Sequence, residues 1–337
     1  MAHKKIQGNL ASWELGAYAV AAAENGRLLA MAFGDGTVRL FDSETPDAAP
    51  VVVNAHKGAC LALAADIDKG GFVSGGDDGK FVKIAAMGSA ETLWESKGKW
   101  VEHVTAHAGA GVRAFAVGKV ATILNKKGEQ RELAHASTVG GLAVNPKGKR
   151  LAVTHYNGVS LWWLASTAAP SILEWRGSHL QPAWSPDGDY VITAMQENAL
   201  HGWRLSDGEH MRMTGYPGKV RNIAFTRKGH FLATTGSDSV ICWPFSGSGP
   251  MGKAPSEFGS ASEGALVSTV AANPKLDIIA AGFEDGSVLV GQPGSANTIG
   301  IIDAGGSPVT CMAWNPDGDR LLVGTEAGAV HLADFRG

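Results

Sequence analysis

Cysteine is scarce in this chain of 337 residues: Cys60, Cys242 and Cys311 are the whole complement, and no Cys-x-x-Cys pair or Cys/His cluster occurs. That excludes a disulfide-stapled scaffold and argues against a structural zinc module, so the three thiols are expected as small buried hydrophobes in strands. No run approaches the roughly 18 apolar residues of a membrane-spanning helix. The segment Met1 to Asn9 has no apolar core of a secretory signal, and the expected compartment is the cytoplasm. Excess charge of either sign is also missing. Lys plus Arg number 29 and Asp plus Glu 32, for a net charge of −3, which gives no basic footprint for nucleic acid as the main partner. Gly-x-Ser-x-Gly is absent, since Gly247-Ser248-Gly249 lies in a low-complexity stretch rather than on a strand-to-helix elbow.

Glycine, by contrast, is abundant at 45 residues, and it recurs in register. In Trp184-Ser185-Pro186-Asp187-Gly188, Pro186 fixes φ and Gly188 tolerates a positive φ, which makes a tight turn. A β-branched run from Tyr190 to Ala194 follows as a strand, then a polar turn at Gln196 to Asn198, then a strand from Leu200 to Trp203. Turns aligned on this one begin at Ala23, Asp66, His107, Asn145, Ser185, Thr226, Asn273 and Asn315, separated by 43, 41, 38, 40, 41, 47 and 42 residues. Four short strands in roughly 40 to 45 residues are what a propeller blade requires. The pattern predicts an all-β chain, an eight-bladed β-propeller of four-stranded antiparallel blades that forms one domain over residues 1–337. The alternative is a seven-bladed ring. It applies if the third unit, whose inner turn is only Gly118-Lys119, gives its strands to its neighbours. The last unit, from Val309 to Phe335, has three strands, so Lys4 to Leu10 is expected to pair with Ala329 to Phe335 and close the ring.

In the second unit, Ala55-His56, Ser74, Asp78-Gly79 and Ile84 stand in an order that resembles the WD-repeat β-propeller family. The resemblance implies a buried hydrogen-bonded chain of loop His, second-strand Ser or Thr, turn Asp and third-strand Trp, with Ile84 here in place of the Trp. Each copy is degenerate, and the dipeptide Trp-Asp occurs nowhere. The loop His stands at His56 and His135, with Trp13, Trp175 and Tyr216 in equivalent places, and the third-strand Trp at Trp163, Trp203 and Trp243.

No constellation announces chemistry. His103 and His107 are four apart beside Glu102, but that spacing shares a face on a helix and not on a strand, so local hydrogen bonding is expected rather than a metal. Gly34-Asp35-Gly36 and Gly75 to Gly79 are hairpin turns, since no helix follows them to cradle a phosphate. No cofactor and no enzymatic activity are expected. The resemblance instead implies one face built from two sets of loops, where partner proteins bind. Loops between second and third strands contribute Asp35, Asp77, His155, Tyr156, Gln196, Glu197, Phe283, Glu284 and Glu326; loops entering first strands contribute Trp100, Glu102, Lys219 and Arg221. Trp100, Tyr156 and Phe283 are read as exposed anchors within an acidic rim. The expectation is a scaffold for one or more proteins, monomeric by itself, with neither nucleic acid nor membrane as partner. The alternative is a small ligand or metal in the central channel, whose first strands are largely Ala, Val, Gly and Leu. The exit of the sixth unit, Ser246 to Pro255, reads as a loop insertion that tolerates shortening.

Overall fold

The computed structural model describes residues 4–5, 10–261 and 264–336. Six of the eight aligned turns share one device. The amide of the first turn residue donates to the carbonyl five residues on, in Asp66 to Gly71, Asn145 to Arg150, Ser185 to Tyr190, Thr226 to Phe231, Asn273 to Ile278 and Asn315 to Arg320. The side chain of that residue closes the turn from within: Asn145 Oδ1 accepts the amides of Lys149 and Arg150, Ser185 Oγ that of Tyr190 and Thr226 Oγ1 that of Phe231. A short polar side chain able to accept from its own turn is why Asn, Ser or Thr occupies this place, whereas the Asp66 carboxylate is taken by Arg113.

The strands between these turns group into seven sheets. The first holds Ala19–Asn25, Leu28–Phe33, Thr37–Asp42 and Val51–Asn54; the second Cys60–Ala65, Phe72–Gly76, Lys80–Ile84 and Ala90–Glu95. The third holds His103–His107, Val112–Val117, Val120–Asn125 and Gln130–Ala134, four full strands with Gly118-Lys119 as a two-residue hairpin. The fourth has six strands: Gly141–Val144, Arg150–Trp163, Ser171–Trp184, Tyr190–Met195, Leu200–Arg204 and His210–Met213. The fifth holds Ile223–Phe225, Phe231–Thr234, Ser239–Pro244 and Ser256–Ser260. The sixth holds Val267–Ala272, Ile279–Phe283, Val288–Gly291 and Thr298–Ile302, and the seventh Val309–Trp314, Arg320–Thr325 and Ala329–Asp334.

Eight separate blades were expected, and the count of sheets corrects this to the alternative of seven. The third unit is not the cause. The fourth and fifth repeats do not part, because Arg150–Trp163 and Ser171–Trp184 are unbroken strands of 14 residues each. Asn157 (φ 71°), Gly158 (φ 144°) and Gly177 (φ 131°) bend these strands instead of ending them, and pairing continues across the bend from Tyr156↔Ser178 to Gly158↔Glu174. The sheet thereby folds over, so that Ala152, Val159 and Leu161 of one half pack on Trp184, Val191 and Trp203 of the other.

Apart from this cluster inside the fourth sheet, the apolar clusters are shared between neighbouring sheets. Leu40, Val53 and Ala55 of the first sheet meet Cys60, Phe72 and Val82 of the second, and Val73 and Phe81 of the second meet Phe115 and Leu124 of the third. The three cysteines are buried and free, as read, and burial pushes each thiol up to about 12. A buried ion pair adds to the second-to-third seam: Arg113 donates through Nε to Asp66 Oδ1 (2.6 Å) and through Nη2 to Oδ2 (2.7 Å). Its fork geometry lets both charges keep their hydrogen bonds away from water.

Leu10–Glu14 closes the ring by pairing antiparallel with the last strand, Leu10 opposite Ala333 and Glu14 opposite Ala329. The expected closure by an N-terminal strand therefore holds, but the register is corrected from Lys4–Leu10. Alternation explains the choice: Ala11 and Trp13 turn inward onto a cluster with Met31, Leu322 and Val330, and Trp13 lies 5.1 Å from the Phe41 ring. Lys4–Lys5 pairs parallel with Thr298–Ile302 of the sixth sheet, and residues 6–9 lie outside those described. The 246–255 loop is exposed at residues 246–248 and 251–254 but anchored between them. Gly249 and Pro250 are buried, and Arg204 Nη1 of the fourth sheet donates to Ser248 O (3.0 Å).

Two stability predictions follow from this packing. Removal of residues 1–14 exposes the edge of Ala329–Asp334 and uncovers Phe41, so the melting midpoint falls by several degrees and aggregation rises; an unchanged midpoint in calorimetry contradicts closure by Leu10–Glu14. The second concerns His201, fully buried with neither ring nitrogen hydrogen-bonded and its ring stacked on Trp175 (4.0 Å, 15°). Burial first, then the nearby His179 and His210, push its pKa down to about 3. Above pH 6.5 both folded and unfolded states are neutral at this site. As pH falls toward 3 only the unfolded state takes the proton, so this share of stability is lost, about 2 kcal/mol by pH 5. Urea unfolding at pH 7 and pH 5 checks it: His201→Phe loses less stability on acidification than wild type, by roughly that amount.

Candidate functional site

The loops of one face are set by hydrogen bonds beneath them. His56 Nδ1 donates to Asp78 Oδ1 (2.9 Å), and its Nε2 accepts from the Ser74 hydroxyl (2.8 Å). Burial first lowers the His56 pKa, and this neutral tautomer matches the resemblance residue for residue, with Ile84 buried where a Trp would stand. A second copy uses Tyr216: Trp243 Nε1 donates to its hydroxyl (2.6 Å), which also bonds Thr234 Oγ1 (2.9 Å). In a third, His135 Nε2 accepts from Trp162 Nε1 (3.1 Å). Trp162 therefore takes the role read onto Trp163, because strand parity turns Trp163 outward. His179, not Trp175, fills the loop position in the fourth sheet, accepting from Thr193 and donating to Trp175 O. Trp13, the third substitute, lies in the closing strand.

Above this layer a second bond repeats. The first amide of the turn between second and third strands donates to a carbonyl just before the first strand, Gly34 to Tyr18, Asp77 to Ala59, Glu284 to Leu266 and Glu326 to Pro308, and Gln196 donates likewise to Ser178 within Ser171–Trp184, all between 2.9 and 3.1 Å. In the fourth sheet Tyr156 N donates to Ser137 Oγ instead (2.9 Å). Both loop sets are thus clasped together on one face, as the resemblance implied. Gly36 shows how tight the clasp is, since a Cβ there would lie 2.3 Å from Gly58 O, on a residue already at φ 82°.

The individual residues fare differently. Trp100 and Tyr156 are exposed, at 57% and 51%, and so are Asp35, Glu102, Gln196, Glu197, Arg221, Glu284 and Glu326. Asp77, His155 and Lys219 are half-buried. Trp100 and Glu102 project because Val101 between them is buried, its amide bonded to Gly76 O (3.1 Å). Phe283 is corrected: it is fully buried, packed with Val267 and Val270, because its place on Ile279–Phe283 points it into the core. Asp35 is not a loose rim acid. Burial alone would raise its carboxyl, but the Thr37 hydroxyl (2.7 Å) and amide (2.9 Å) and the Arg39 guanidinium (3.1 Å) outweigh that and hold it below the ordinary range. Lys219 donates to Gln196 Oε1 (2.6 Å) and His155 to Tyr156 O or Ser160 Oγ (both 2.9 Å), while Asp77 sits against Gly58.

Four of the residues come together. Lys219, Arg221, Glu284 and Glu326 line the mouth of a channel cavity of about 670 Å³, with Tyr18, Asn222 and the small first-strand residues Ala21, Ala22 and Val270. Partial burial, then the Glu326 carboxylate, raise the Tyr18 hydroxyl, with Arg221 pulling the other way. Tyr18, exposed at 47%, went unnoticed in the sequence, although its place just before Ala19–Asn25 is the same as that of Arg221 before Ile223–Phe225. The mouth is more polar than the Ala and Val of the first strands suggested. Trp100 and Tyr156 stand on the third and fourth sheets, away from it. Among the described residues no group of three His, Cys, Asp or Glu side chains is placed to hold a metal, and His107 instead caps the Ala108–Ala110 turn.

Three comparisons bear on this architecture. Residues 270–336 match the model described as the Anaphase-promoting complex subunit 4 WD40 domain. The chain is 23% identical over 315 residues to Autophagy-related protein 16 of Arabidopsis thaliana, a match covering 88% of this chain and 60% of that protein. It therefore spans less than two thirds of the relative's length. The crystal structure of the computationally designed Ika8 protein superposes with a TM-score of 0.74 over 98% of both chains at 15% identity, a likeness of fold alone.

Proposed function

We propose that this chain, a WD-repeat β-propeller with degenerate repeats, is a non-enzymatic scaffold that holds partner proteins on its loop face. The observation that carries the reading is the clasped face itself. Rigid hydrogen-bonded turns present two exposed aromatics, Trp100 and Tyr156, on one side of the ring and a charged, aromatic-edged channel mouth on the other. Aromatic side chains lose little entropy on docking and bury much area, and acids around them favour encounter with a basic partner. That the matched family model describes a subunit of a complex supports an assembly role. The cytoplasm is the proposed location, where buried free thiols stay reduced.

A ligand in the channel is the second reading, favoured by the cavity volume, which falls within the usual range for small-molecule sites. Affinity purification of tagged wild type beside Trp100→Ala, Tyr156→Ala and Tyr18→Ala separates the two. Loss of an anchor weakens retention of a protein partner by about 2 kcal/mol, whereas Glu284→Gln or Glu326→Gln chiefly slows association. Full retention of every partner by all three aromatic variants overturns the assigned surface. If wild type retrieves no protein but carries a stoichiometric small molecule, the channel reading replaces the scaffold.

A further inference from the structure

The face opposite the loop face carries a cluster of cations at the edge of the third and fourth sheets. Two turns each project a pair of exposed lysines: Lys126 and Lys127 after Val120–Asn125, and Lys147 and Lys149 after Gly141–Val144. The turns adjoin. A Cβ on Gly148 would lie 2.7 Å from the His107 ring and 3.1 Å from Ala110, and one on Gly111 would lie 3.4 Å from the Lys126 stem. His107 clips them together, its Nε2 donating to Pro146 O (3.2 Å) while Nδ1 accepts the Ala110 amide (3.0 Å).

The nearby arginines are occupied. Arg150 lies over the Trp163 ring at 4.1 Å, and Arg131 donates to the carbonyls of Trp163 and Ser166. Among the described residues none of the four lysines forms an ion pair, although the Lys126 charge, after Lys83 and Arg113, helps hold the Asp68 carboxyl below its ordinary range. Glu129, the acid within these turns, accepts from Asn125 Nδ2 (2.6 Å). Four like charges held close repel one another, and an incoming negative group relieves that repulsion.

We propose that this lysine quartet is a second binding site, one that takes an acidic segment of a partner protein. Lysines are point charges on flexible stems, suited to Asp and Glu carboxylates at uneven spacing rather than to one fixed bidentate geometry. A short segment fits better than an extended anionic surface. On the same face the next turns of the fourth sheet project Asp187, Asp189 and Glu209, and the seventh sheet projects Asp317, so a membrane or a duplex laid across the ring would meet both signs of charge. This site is independent of the loop face and stands or falls separately from it.

The test is fluorescence anisotropy with a labelled peptide of about a dozen Asp and Glu residues, roughly 40 Å when extended. Wild type binds it, more weakly at about 200 mM than at about 50 mM salt. K126S/K127S/K147S/K149S weakens binding at least about tenfold, while K97S/K99S, on the loop between the second and third sheets, leaves it unchanged. If the quadruple variant melts early, K126S/K127S and K147S/K149S are measured separately, and each weakens binding several-fold. Equal binding by wild type and the lysine variants, or equal weakening by K97S/K99S, overturns the proposal. So does binding of phosphatidylserine vesicles through the quartet with no binding of the peptide, which assigns the patch to a membrane.

Discussion

Apart from the folded-over fourth sheet, no sheet of this ring owns its core. Each buries one face on the sheet before it and one on the sheet after, so the apolar area that stabilises any unit exists only when its neighbours are in place. Closure is therefore the constraint on which everything else rests, and it explains residues that look arbitrary one at a time. Near the seam a Cβ on Gly324 would fall 2.5 Å from Met31 Sδ, and on Gly282 2.5 Å from Val309 Cγ1. Side chains on neighbouring inner strands are in contact there, and glycine is what lets Met31 and Val309 fill the gap. Strand order serves the same end, since the final sheet is completed by Leu10–Glu14 from the other end of the chain.

Closure also separates stability from recognition. The turns on the side of the lysine quartet are closed by their own Asn, Ser and Thr side chains, and the loops of the other face by the amide-to-carbonyl clasp. Both devices use mostly backbone groups. The outward side chains between them, such as Trp100 and Glu102 on either side of the buried Val101, are released from any structural duty and left available for contact.

The repeat was legible because its signal is local. A turn that needs a short polar acceptor and a positive φ leaves similar letters in most copies, whatever happens to the strands around it. What failed was whatever depends on the neighbour across a strand. Asn157-Gly158 has the letters of a hairpin turn, yet Ser171–Trp184 keeps pairing past it and turns a break into a bend. Phe283 and Trp163 were misjudged by one step of parity, which moves a ring from surface to core or back. His179 was hidden because its strand begins eight residues earlier, at Ser171, so nothing in the letters marks a loop there. Tyr18 was legible and overlooked.

Net charge misled in a subtler way. At −3 the chain looks nearly neutral, and composition alone argues against any strongly charged partner. The fold sorts those charges by position in the repeat. Residues between second and third strands go to one face, where Glu197, Glu284 and Glu326 are exposed, while residues after first and third strands go to the other, where Lys126, Lys127, Lys147 and Lys149 cluster on the third and fourth sheets beside turns that carry Asp187, Asp189 and Glu209. Because screening acts over about 8 Å at physiological salt, a partner arriving at either face feels the local sign and not the sum. A propeller of modest net charge therefore has the means to steer a basic partner to one face and an acidic segment to the other, with the ring's thickness keeping the two encounters apart.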